Sequence, residues 1–274
     1  MTIEAALKRG AEKIVLREAK ILLAHATGYS TNGLYFSILK EISPPEYLTF
    51  MSYVERRTHG EPLQYIVGEW DFMGLTFLTD KRALIPRPET ELLVEEVYYF
   101  ITNCEKKPLR VLDVCTGSGC IAVSLARLAG ESVKITAVDI CPEALSLAKE
   151  NAKKLGIPEE RIAFIESDLL SNVTGEFDVI VSNPPYVLSG EIPTLSPTVR
   201  NYEPHLALDG GADGLDLYRR LIPQCKNALC SGGALFLEIG PIEVKGLMEE
   251  AGFENVGLIR DYAEIERILK GERG

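Results

Sequence analysis

Apolar residues recur at helical spacing through the first 66 residues, where the period-two alternation typical of strands is rare. Ile14, Ala19 and Leu22 follow this spacing. Ser43-Pro44-Pro45-Glu46 places a capping residue, a first-turn proline and a capping-box glutamate before another helical stretch that reaches about Thr58. Residues 1–66 are therefore predicted to form a small helical bundle.

The pattern changes between Gln64 and Asp80, where aromatic and β-branched residues lie on both sides of Gly74. This arrangement is typical of a β-hairpin. We expect residues 67–84 to form a β-hairpin linker between the helical bundle and a second domain, residues 85–274. Two domains also agree with the chain length, since 274 residues exceed the roughly 100 to 150 residues of a common domain.

From Pro108 onward, short apolar runs alternate with helical segments, as in a doubly wound sheet. Helices are predicted to begin at Pro142 and Leu215. Because only residues 260–264 separate the last two strands, these strands should form an antiparallel hairpin at the sheet edge. The predicted fold class is α/β, with a Rossmann-like sheet. Its strands are residues 110–115, 134–138, 162–166, 177–182, 233–239, 253–259 and 265–270.

Composition and charge limit the classes of function. The 40 acidic residues outnumber the 29 basic ones, so broad contact with a nucleic-acid backbone is not expected. No apolar run approaches the roughly 20 residues of a membrane span, and residues 1–9 are amphipathic rather than a signal peptide. The cysteines form no Cys-x-x-Cys pair and the histidines lack ligand spacing. We therefore expect a cytoplasmic protein with reduced thiols and no metal site.

Residues 112–122 combine a strand, a glycine-rich turn and the start of a helix, with the spacing G-x-G-x-x-A. Glycines let the backbone approach a ligand closely, and a helix N-terminus offers free N–H groups. Asp139 ends the next strand, about 20 residues on, where such folds hydrogen-bond both ribose hydroxyls of an adenosine ligand. Asp139 and the loop are predicted to bind a cofactor. The loop residues are Cys115, Thr116, Gly117, Ser118 and Gly119.

Asp168 and Leu169 follow the third predicted strand in the same way. Asp168 can accept a hydrogen bond from an adenine amino group while Leu169 packs on the ring face. A helix-capping role is the alternative for Asp168. We include both residues in the predicted cofactor site, because ligands of open α/β sheets bind at the carboxyl ends of the strands.

The fourth predicted strand is followed by Asn183-Pro184-Pro185-Tyr186. Two prolines forbid continuation of the strand and make the turn rigid, so that the asparagine amide, the backbone carbonyls and the tyrosine ring are aimed at one spot. Taken alone, the tetrapeptide favours a proline-stopped loop with a capping asparagine. Its place beside the glycine loop and Asp139 instead predicts that Asn183 meets the reactive end of the cofactor.

Two kinds of adenosine-containing cofactor are candidates for such a pocket. A nicotinamide dinucleotide would need hydride-transfer chemistry, but no Tyr-x-x-x-Lys spacing or catalytic histidine follows. S-adenosylmethionine fits better, since its sulfonium is a strong methyl donor and the protein has only to hold a weak nucleophile in line. We predict S-adenosylmethionine as the cofactor.

An amide nitrogen is such a weak nucleophile. It would donate hydrogen bonds to the Asn183 side-chain oxygen and the Pro184 carbonyl, while Tyr186 packs against the planar amide group of the substrate. Asn183, Pro184 and Tyr186 are therefore the predicted catalytic residues. The predicted substrate site is Asn183, Pro184, Pro185 and Tyr186, and Asn183 also contacts the cofactor.

Longer motifs extend over essentially the whole chain, in consistent order and spacing. They are Glu61-Pro62-Leu63-Gln64-Tyr65-Ile66-Val67-Gly68, Leu84-Ile85-Pro86-Arg87-Pro88-Glu89-Thr90-Glu91, Thr116-Gly117-Ser118-Gly119, Asn183-Pro184-Pro185-Tyr186, Tyr202-Glu203-Pro204-His205-Leu206-Ala207-Leu208, Gly210-Gly211-Ala212-Asp213-Gly214-Leu215 and Leu237-Glu238-Ile239-Gly240. With these motifs the chain resembles the peptide chain release factor glutamine methyltransferases, the PrmC/HemK family. Asn-Pro-Pro-Tyr occurs in many amino-methyltransferases, whereas Pro-Arg-Pro-Glu-Thr-Glu after a helical first domain is far more specific.

The resemblance implies the fold of a class I S-adenosylmethionine-dependent methyltransferase. It implies methylation of the side-chain nitrogen N5 of the glutamine in the Gly-Gly-Gln motif of class 1 release factors, with the N-terminal bundle helping to hold the release factor. We further expect a monomer that binds neither nucleic acid nor membrane directly. Two departures are visible: Cys115 stands where the family usually has glycine, and residues 240–243 are Gly-Pro-Ile-Glu instead of Gly-x-x-Gln.

The roles of some motif residues and two rival functions stay open. Arg87 and Glu89 either order the chain over the methionine end of the cofactor or pair with each other, and residues 202–204 should begin a loop beside the substrate channel. A DNA or RNA amino-methyltransferase would grip a flipped adenine with the same turn, although the acidic charge counts against it. A non-catalytic adenosine-ligand binding protein would dock through its helical domain, although the intact Asn183 turn counts against lost catalysis.

Overall fold

The computed structural model describes residues 1–274, which divide into two compact units. The first unit consists of Met1–Glu69 and Ser196–Tyr202, and the second of Trp70–Leu195 and Glu203–Gly274. The sequence pattern did not assign Ser196–Tyr202 to the helical part. This segment contacts residues that are distant in the sequence, since the Tyr202 hydroxyl donates to the carbonyl of His59 at 3.0 Å.

Five helices form most of the first unit. They are α1 (Ile3–Ala11), α2 (Leu16–Thr27), α3 (Thr31–Phe36), α4 (Pro44–Thr58) and α5 (Leu63–Val67). The predicted capping box is present at α4, where the Ser43 hydroxyl accepts from the Glu46 N–H at 3.4 Å and the Ser43 N–H donates to the Glu46 carboxylate at 2.6 Å. Leu22, Leu23 and Phe50 are fully buried between the helices. The predicted helical bundle is therefore confirmed.

The hairpin after the bundle is shorter than predicted. Its strands are β1 (Glu69–Phe72) and β2 (Leu75–Leu78), which pair as a two-stranded sheet. The strand prediction was wrong for residues 64–67, because these belong to α5, which ends at Gly68 with a φ of +81°. A helix of one turn is too short for its period to be visible in the sequence.

The second unit continues with helices and strands in alternation. Its helices are α6 (Pro88–Asn103), α7 (Cys120–Ala129), α8 (Pro142–Lys154), α10 (Asp216–Ala228) and α11 (Lys245–Glu250), while α9 (Pro197–Tyr202) belongs to the first unit. Its strands are β3 (Leu109–Val114), β4 (Val133–Asp139), β5 (Ile162–Glu166), β6 (Phe177–Ser182), β7 (Leu229–Glu238), β8 (Glu254–Arg260) and β9 (Glu266–Glu272). The strand β7 begins four residues before its predicted start, because Leu229 already pairs with Phe177 of β6, ahead of the local apolar run.

The large sheet has seven strands in the order β5-β4-β3-β6-β7-β9-β8. Strands β3 to β7 run parallel, whereas β9 pairs antiparallel with both β7 and β8. The predicted Rossmann-like sheet with an antiparallel hairpin at one edge is confirmed. The strand β3 is central, with β4 paired on one side and β6 on the other. The carboxyl ends of β3, β4 and β6 therefore lie together at the point where ligands bind in such sheets.

Both faces of this sheet are covered. Successive residues of a strand point to opposite faces, so Val111 of β3 packs with Leu93 and Ile121 of the helices on one face. Leu112 belongs to the cluster on the other face, together with Tyr218 of α10. Burial on both faces leaves the ends of the strands as the open part of the sheet. No helix combines the length and the apolar composition that crossing a membrane requires.

Candidate active site

A cavity of about 220 Å³ lies at the carboxyl ends of β3, β4, β5 and β6. Most residues predicted to bind cofactor or substrate line it, namely Cys115, Thr116, Gly117, Ser118, Asp139, Asp168, Leu169, Asn183 and Pro185. Gly119, Pro184 and Tyr186 are not among the lining residues. The cavity therefore brings together residues from four strand ends that are far apart in sequence.

The glycine loop after β3 depends on left-handed backbone. Gly117 and Gly119 have φ values of +56° and +79°, and Cys115 has +59°. A left-handed conformation costs a residue with a side chain about 1 kcal/mol, so Cys115 adopts the geometry that glycine would adopt more easily. At Gly119 a Cβ atom would lie 2.9 Å from the Cβ of Ala148, so glycine is needed for α8 to approach the loop.

Asp139 joins the end of β4 to the glycine loop. Its Oδ2 accepts from the Gly117 N–H at 2.8 Å and its Oδ1 accepts from the Cys141 N–H at 2.9 Å. Burial raises the pKa of this carboxyl, and the backbone hydrogen bonds lower it. Each carboxylate oxygen has a second lone-pair site, so the group can still accept two hydroxyl hydrogens from the cavity side. This fits the two ribose hydroxyls of an adenosine cofactor.

Asp113 is a buried acidic residue that we did not predict. Its Oδ2 accepts from the Thr116 hydroxyl at 2.6 Å and from the Ala122 N–H at 3.1 Å, which fastens the glycine loop to α7. Its Oδ1 has no hydrogen-bond partner. Burial raises the pKa of Asp113 to about 7, and the nearby Asp139 raises it as well. The signal in the sequence was an acidic residue inside an apolar strand, since such residues are rarely buried without a specific role.

Asp168 has an ion-pair partner at the cavity. Its Oδ2 accepts from the Arg220 guanidinium at 2.6 Å, and both residues line the cavity. Its side chain thus pairs with an arginine and does not cap a helix. Leu169 is buried beside it, with a φ of +51°. An exposed acceptor over an apolar side chain is compatible with the predicted adenine contact.

The Asn183 turn leaves β6 toward the cavity. The Asn183 Nδ2 donates to the Thr90 hydroxyl oxygen at 3.2 Å. Tyr186 is half-buried and packs on Gly240, where a Cβ atom would lie only 2.5 Å from the tyrosine Cδ2. Burial raises the pKa of Tyr186, and the charge of Glu238 raises it further. We did not predict Thr90 as a site residue, although it belongs to the Pro-Arg-Pro-Glu-Thr-Glu motif.

Arg87 forms its ion pair with Glu203 and not with Glu89. Its Nη2 donates to the Glu203 Oε1 at 2.6 Å, while the Glu203 Oε2 accepts from the Ile85 N–H at 3.2 Å. Arg87 forms no ion pair with the exposed Glu89, so the alternative in which these two residues pair is wrong. Arg87 and Ile85 line the cavity, as does Pro204, the residue after Glu203. The buried Glu203 carboxylate therefore ties two segments of the cavity wall together.

We expect Glu203→Ala to lower the free energy of unfolding by about 2 kcal/mol or more, since it leaves the Arg87 charge and the Ile85 N–H without a partner. Urea unfolding measures this, and cofactor binding should weaken in parallel. Glu249→Ala is the matched control, because it removes only the exposed pair with Lys245 at 3.6 Å and should change stability by less than about 0.5 kcal/mol. Equal effects of the two substitutions would rule out the proposed role of Glu203.

The fold and the site together define the class of protein. A seven-stranded sheet of this order, a glycine loop after its central strand and an acidic residue at the end of the next strand define a class I S-adenosylmethionine-dependent methyltransferase. Residues 90–196 match the family model of the methyltransferase small domain, and residues 2–68 match that of the PrmC N-terminal domain. The chain belongs to the release factor glutamine methyltransferase family.

Individual relatives support this assignment. The chain is 38% identical to a release factor glutamine methyltransferase of Clostridium acetobutylicum, covering 98% of this chain and 95% of the relative. It is 40% identical to one of Moorella thermoacetica, covering 93% and 90%. Among solved structures, a 16S rRNA methyltransferase of T. thermophilus shares the fold with a TM-score of 0.56 and 20% identity, over 75% of this chain and 50% of that one.

Proposed function

We propose that this protein methylates the side-chain nitrogen N5 of the glutamine in the Gly-Gly-Gln motif of class 1 peptide chain release factors. The observation that carries the proposal is that Asn183 and the glycine loop line one cavity. The relatives named above, which match nearly the full chain, are named for glutamine methylation of release factors. The cavity alone does not separate this acceptor from the two rival functions, whereas the names of these relatives favour the release factor.

When bound, S-adenosylmethionine supplies a methyl group on a positively charged sulfur, so the protein has only to hold the acceptor nitrogen in line. The glycine loop and Asp139 would hold the adenosine part, and Asp168 and Leu169 would contact the adenine. At the acceptor, the Asn183 side-chain oxygen and the Pro184 carbonyl would each accept one hydrogen bond from the substrate amide nitrogen. These bonds would strengthen as positive charge develops on the nitrogen, so they would lower the barrier rather than only bind the substrate. The sulfur would leave as a neutral thioether, and the methylated nitrogen would lose one proton to water.

The partner in this proposal is the release factor itself, a protein. The N-terminal helical unit contributes to holding it, and the net charge of −11 disfavours a direct nucleic-acid partner. We place the enzyme in the cytoplasm, where translation terminates, and expect it to act as a monomer.

The proposal is tested with purified protein, methyl-labelled S-adenosylmethionine and full-length release factor. We expect label on the release factor, and mass spectrometry should place the methyl group on the glutamine of Gly-Gly-Gln. The matched control is a release factor with that glutamine changed to alanine, which should take up no label. Label on the control, or preferential labelling of added DNA or RNA, would exclude the proposed acceptor.

A further inference from the structure

Asn151 of α8 is a buried polar residue that the chemistry above leaves without a role. It is fully buried and does not line the cavity. Its side-chain amide makes three hydrogen bonds, all of them to main-chain atoms of segments that are distant in the sequence. Because a buried amide is costly unless its polar atoms are paired, these bonds show which segments Asn151 joins.

The first segment is the second strand of the hairpin. The Leu78 N–H donates to the Asn151 Oδ1 at 2.6 Å, and the Leu78 carbonyl accepts from the Asn151 Nδ2 at 3.2 Å. The side-chain amide thus pairs with both backbone groups of Leu78, as a peptide group of a neighbouring strand would. Since β2 pairs only with β1, Asn151 satisfies polar groups at an edge that no further strand covers.

The second segment is the glycine loop. The Asn151 Nδ2 donates to the Ser118 carbonyl at 2.9 Å, and Ser118 lines the cavity. The orientation of the Asn151 amide is fixed, because the Leu78 N–H needs its oxygen and the two carbonyls need its nitrogen. In the same peptide unit, the Gly119 N–H donates to the Thr116 carbonyl at 2.9 Å. Both polar groups of the peptide between Ser118 and Gly119 are therefore held by specific partners.

The helix α8 contacts the glycine loop at a second point. Ala148 lies three residues before Asn151, on the same face of the helix. A Cβ atom on Gly119 would lie only 2.9 Å from the Cβ of Ala148, so the helix and the loop are packed closely. A displacement of α8 would therefore displace the loop as well.

We propose that Asn151 is a positioning residue that holds the glycine loop in its cofactor-binding conformation by fastening it to α8 and to the hairpin. Asp113 accepts from the Thr116 hydroxyl, and Asp139 accepts from the Gly117 N–H. Asn151 holds the next residue of the loop. A loop that adopts the binding conformation for only a fraction of the time has an affinity reduced by that fraction. The inference deepens the proposed function and rests on it, since the loop there holds the adenosine part of the cofactor.

Asn151→Asp separates the loop from the hairpin at nearly unchanged volume. A carboxylate keeps an oxygen for the Leu78 N–H, but it has no hydrogen to donate to the Ser118 carbonyl. We expect the Kd for S-adenosylmethionine and for its demethylated product S-adenosylhomocysteine to rise about tenfold each, because the unpaired carbonyl frees the loop. Asn151→Ala removes all three bonds and should weaken binding at least as much. At saturating cofactor, kcat should stay within about threefold of the wild type, because the loop does not touch the acceptor.

Glu150→Ala is the matched control, because it loosens the segment after β2 without touching the glycine loop. Glu150 is the neighbour of Asn151 on α8, and its carboxylate accepts from the Arg82 guanidinium at 2.6 and 2.9 Å. Its side chain is 45% exposed and does not line the cavity. Isothermal titration calorimetry should give Kd values for both ligands within about threefold of the wild type.

Hydrogen exchange in the cofactor-free protein distinguishes positioning of the loop from a purely structural role. Asn151→Asp should speed exchange of the amides of residues 116–119, whereas Glu150→Ala should affect only the segment after β2. Thermal melting shows whether the variants are folded at the temperature of the assay. Unchanged Kd values in folded Asn151 variants, with faster exchange confined to the hairpin, would refute the positioning role.

The binding measurements need no release factor, so they separate this inference from the proposed function. If the wild type binds S-adenosylmethionine but does not methylate the release factor, the proposed acceptor is wrong, and the Kd values alone decide the role of Asn151. If the wild type methylates the release factor and the Asn151 variants bind the cofactor normally, only the positioning role fails.

Discussion

Replacing Asn183 by alanine should lower kcat for methyl transfer to the release factor by about a hundredfold to a thousandfold, with little change in cofactor affinity. In the proposed mechanism, the side-chain oxygen of Asn183 accepts a hydrogen bond from the substrate nitrogen, and this bond strengthens as charge develops on that nitrogen. Loss of one such preorganised partner costs about 3 to 4 kcal/mol of transition-state stabilisation. Single-turnover methylation with labelled S-adenosylmethionine measures the rate, and calorimetry should show a cofactor Kd within a few fold of the wild type.

The matched control for this experiment is Asn172→Ala. Asn172 is exposed, and its Nδ2 donates to the carbonyl of Glu166 at 2.9 Å, outside the residues that line the cavity. It should leave kcat unchanged. Normal turnover by Asn183→Ala would refute the proposed mechanism. A parallel loss of cofactor binding would instead assign Asn183 to the cofactor site rather than to the acceptor site.

The second large effect is expected at Asp139. Asp139→Ala should weaken S-adenosylmethionine binding about a hundredfold, because a charge-assisted hydrogen bond contributes about 1.5 to 3 kcal/mol and the carboxylate is predicted to make two to the ribose. The substitution also removes the acceptor of the Gly117 and Cys141 N–H groups, so part of the loss reflects a looser loop. Isothermal titration calorimetry measures the Kd.

Two further variants separate these contributions. Asp139→Asn retains one oxygen for a backbone N–H, so it should keep most of the stability while still losing cofactor affinity. Asp261→Asn is the matched control, since Asp261 also accepts two backbone N–H groups, from Ala263 at 2.8 Å and Ile265 at 3.0 Å, but lies outside the cavity. Unchanged calorimetric binding by Asp139→Ala would show that the ribose assignment is wrong.

Much of the fold was predictable from local patterns. The parallel strands are short apolar runs that lie between helical segments, and the capping box at Ser43 marks the start of α4. Failures occurred where the local signal was too short or the contact too remote. The single turn of α5 looked like strand because Tyr65, Ile66 and Val67 favour strands locally. Ser196–Tyr202 joins the helical unit only through contacts with residues such as His59, far back in the sequence.

The glycine loop, Asp139 and the Asn183 turn could be located from the sequence, because each follows or ends a strand in a sheet whose parallel strands must end at one edge. The polar side chains that face one another at this edge could not, because their pairing depends on tertiary packing. Arg87 meets Glu203 rather than Glu89, and Asn183 meets Thr90 across more than ninety positions of sequence. Hydrogen bonds act over about 3 Å, so their partners are set by how distant segments pack and leave no spacing in the sequence.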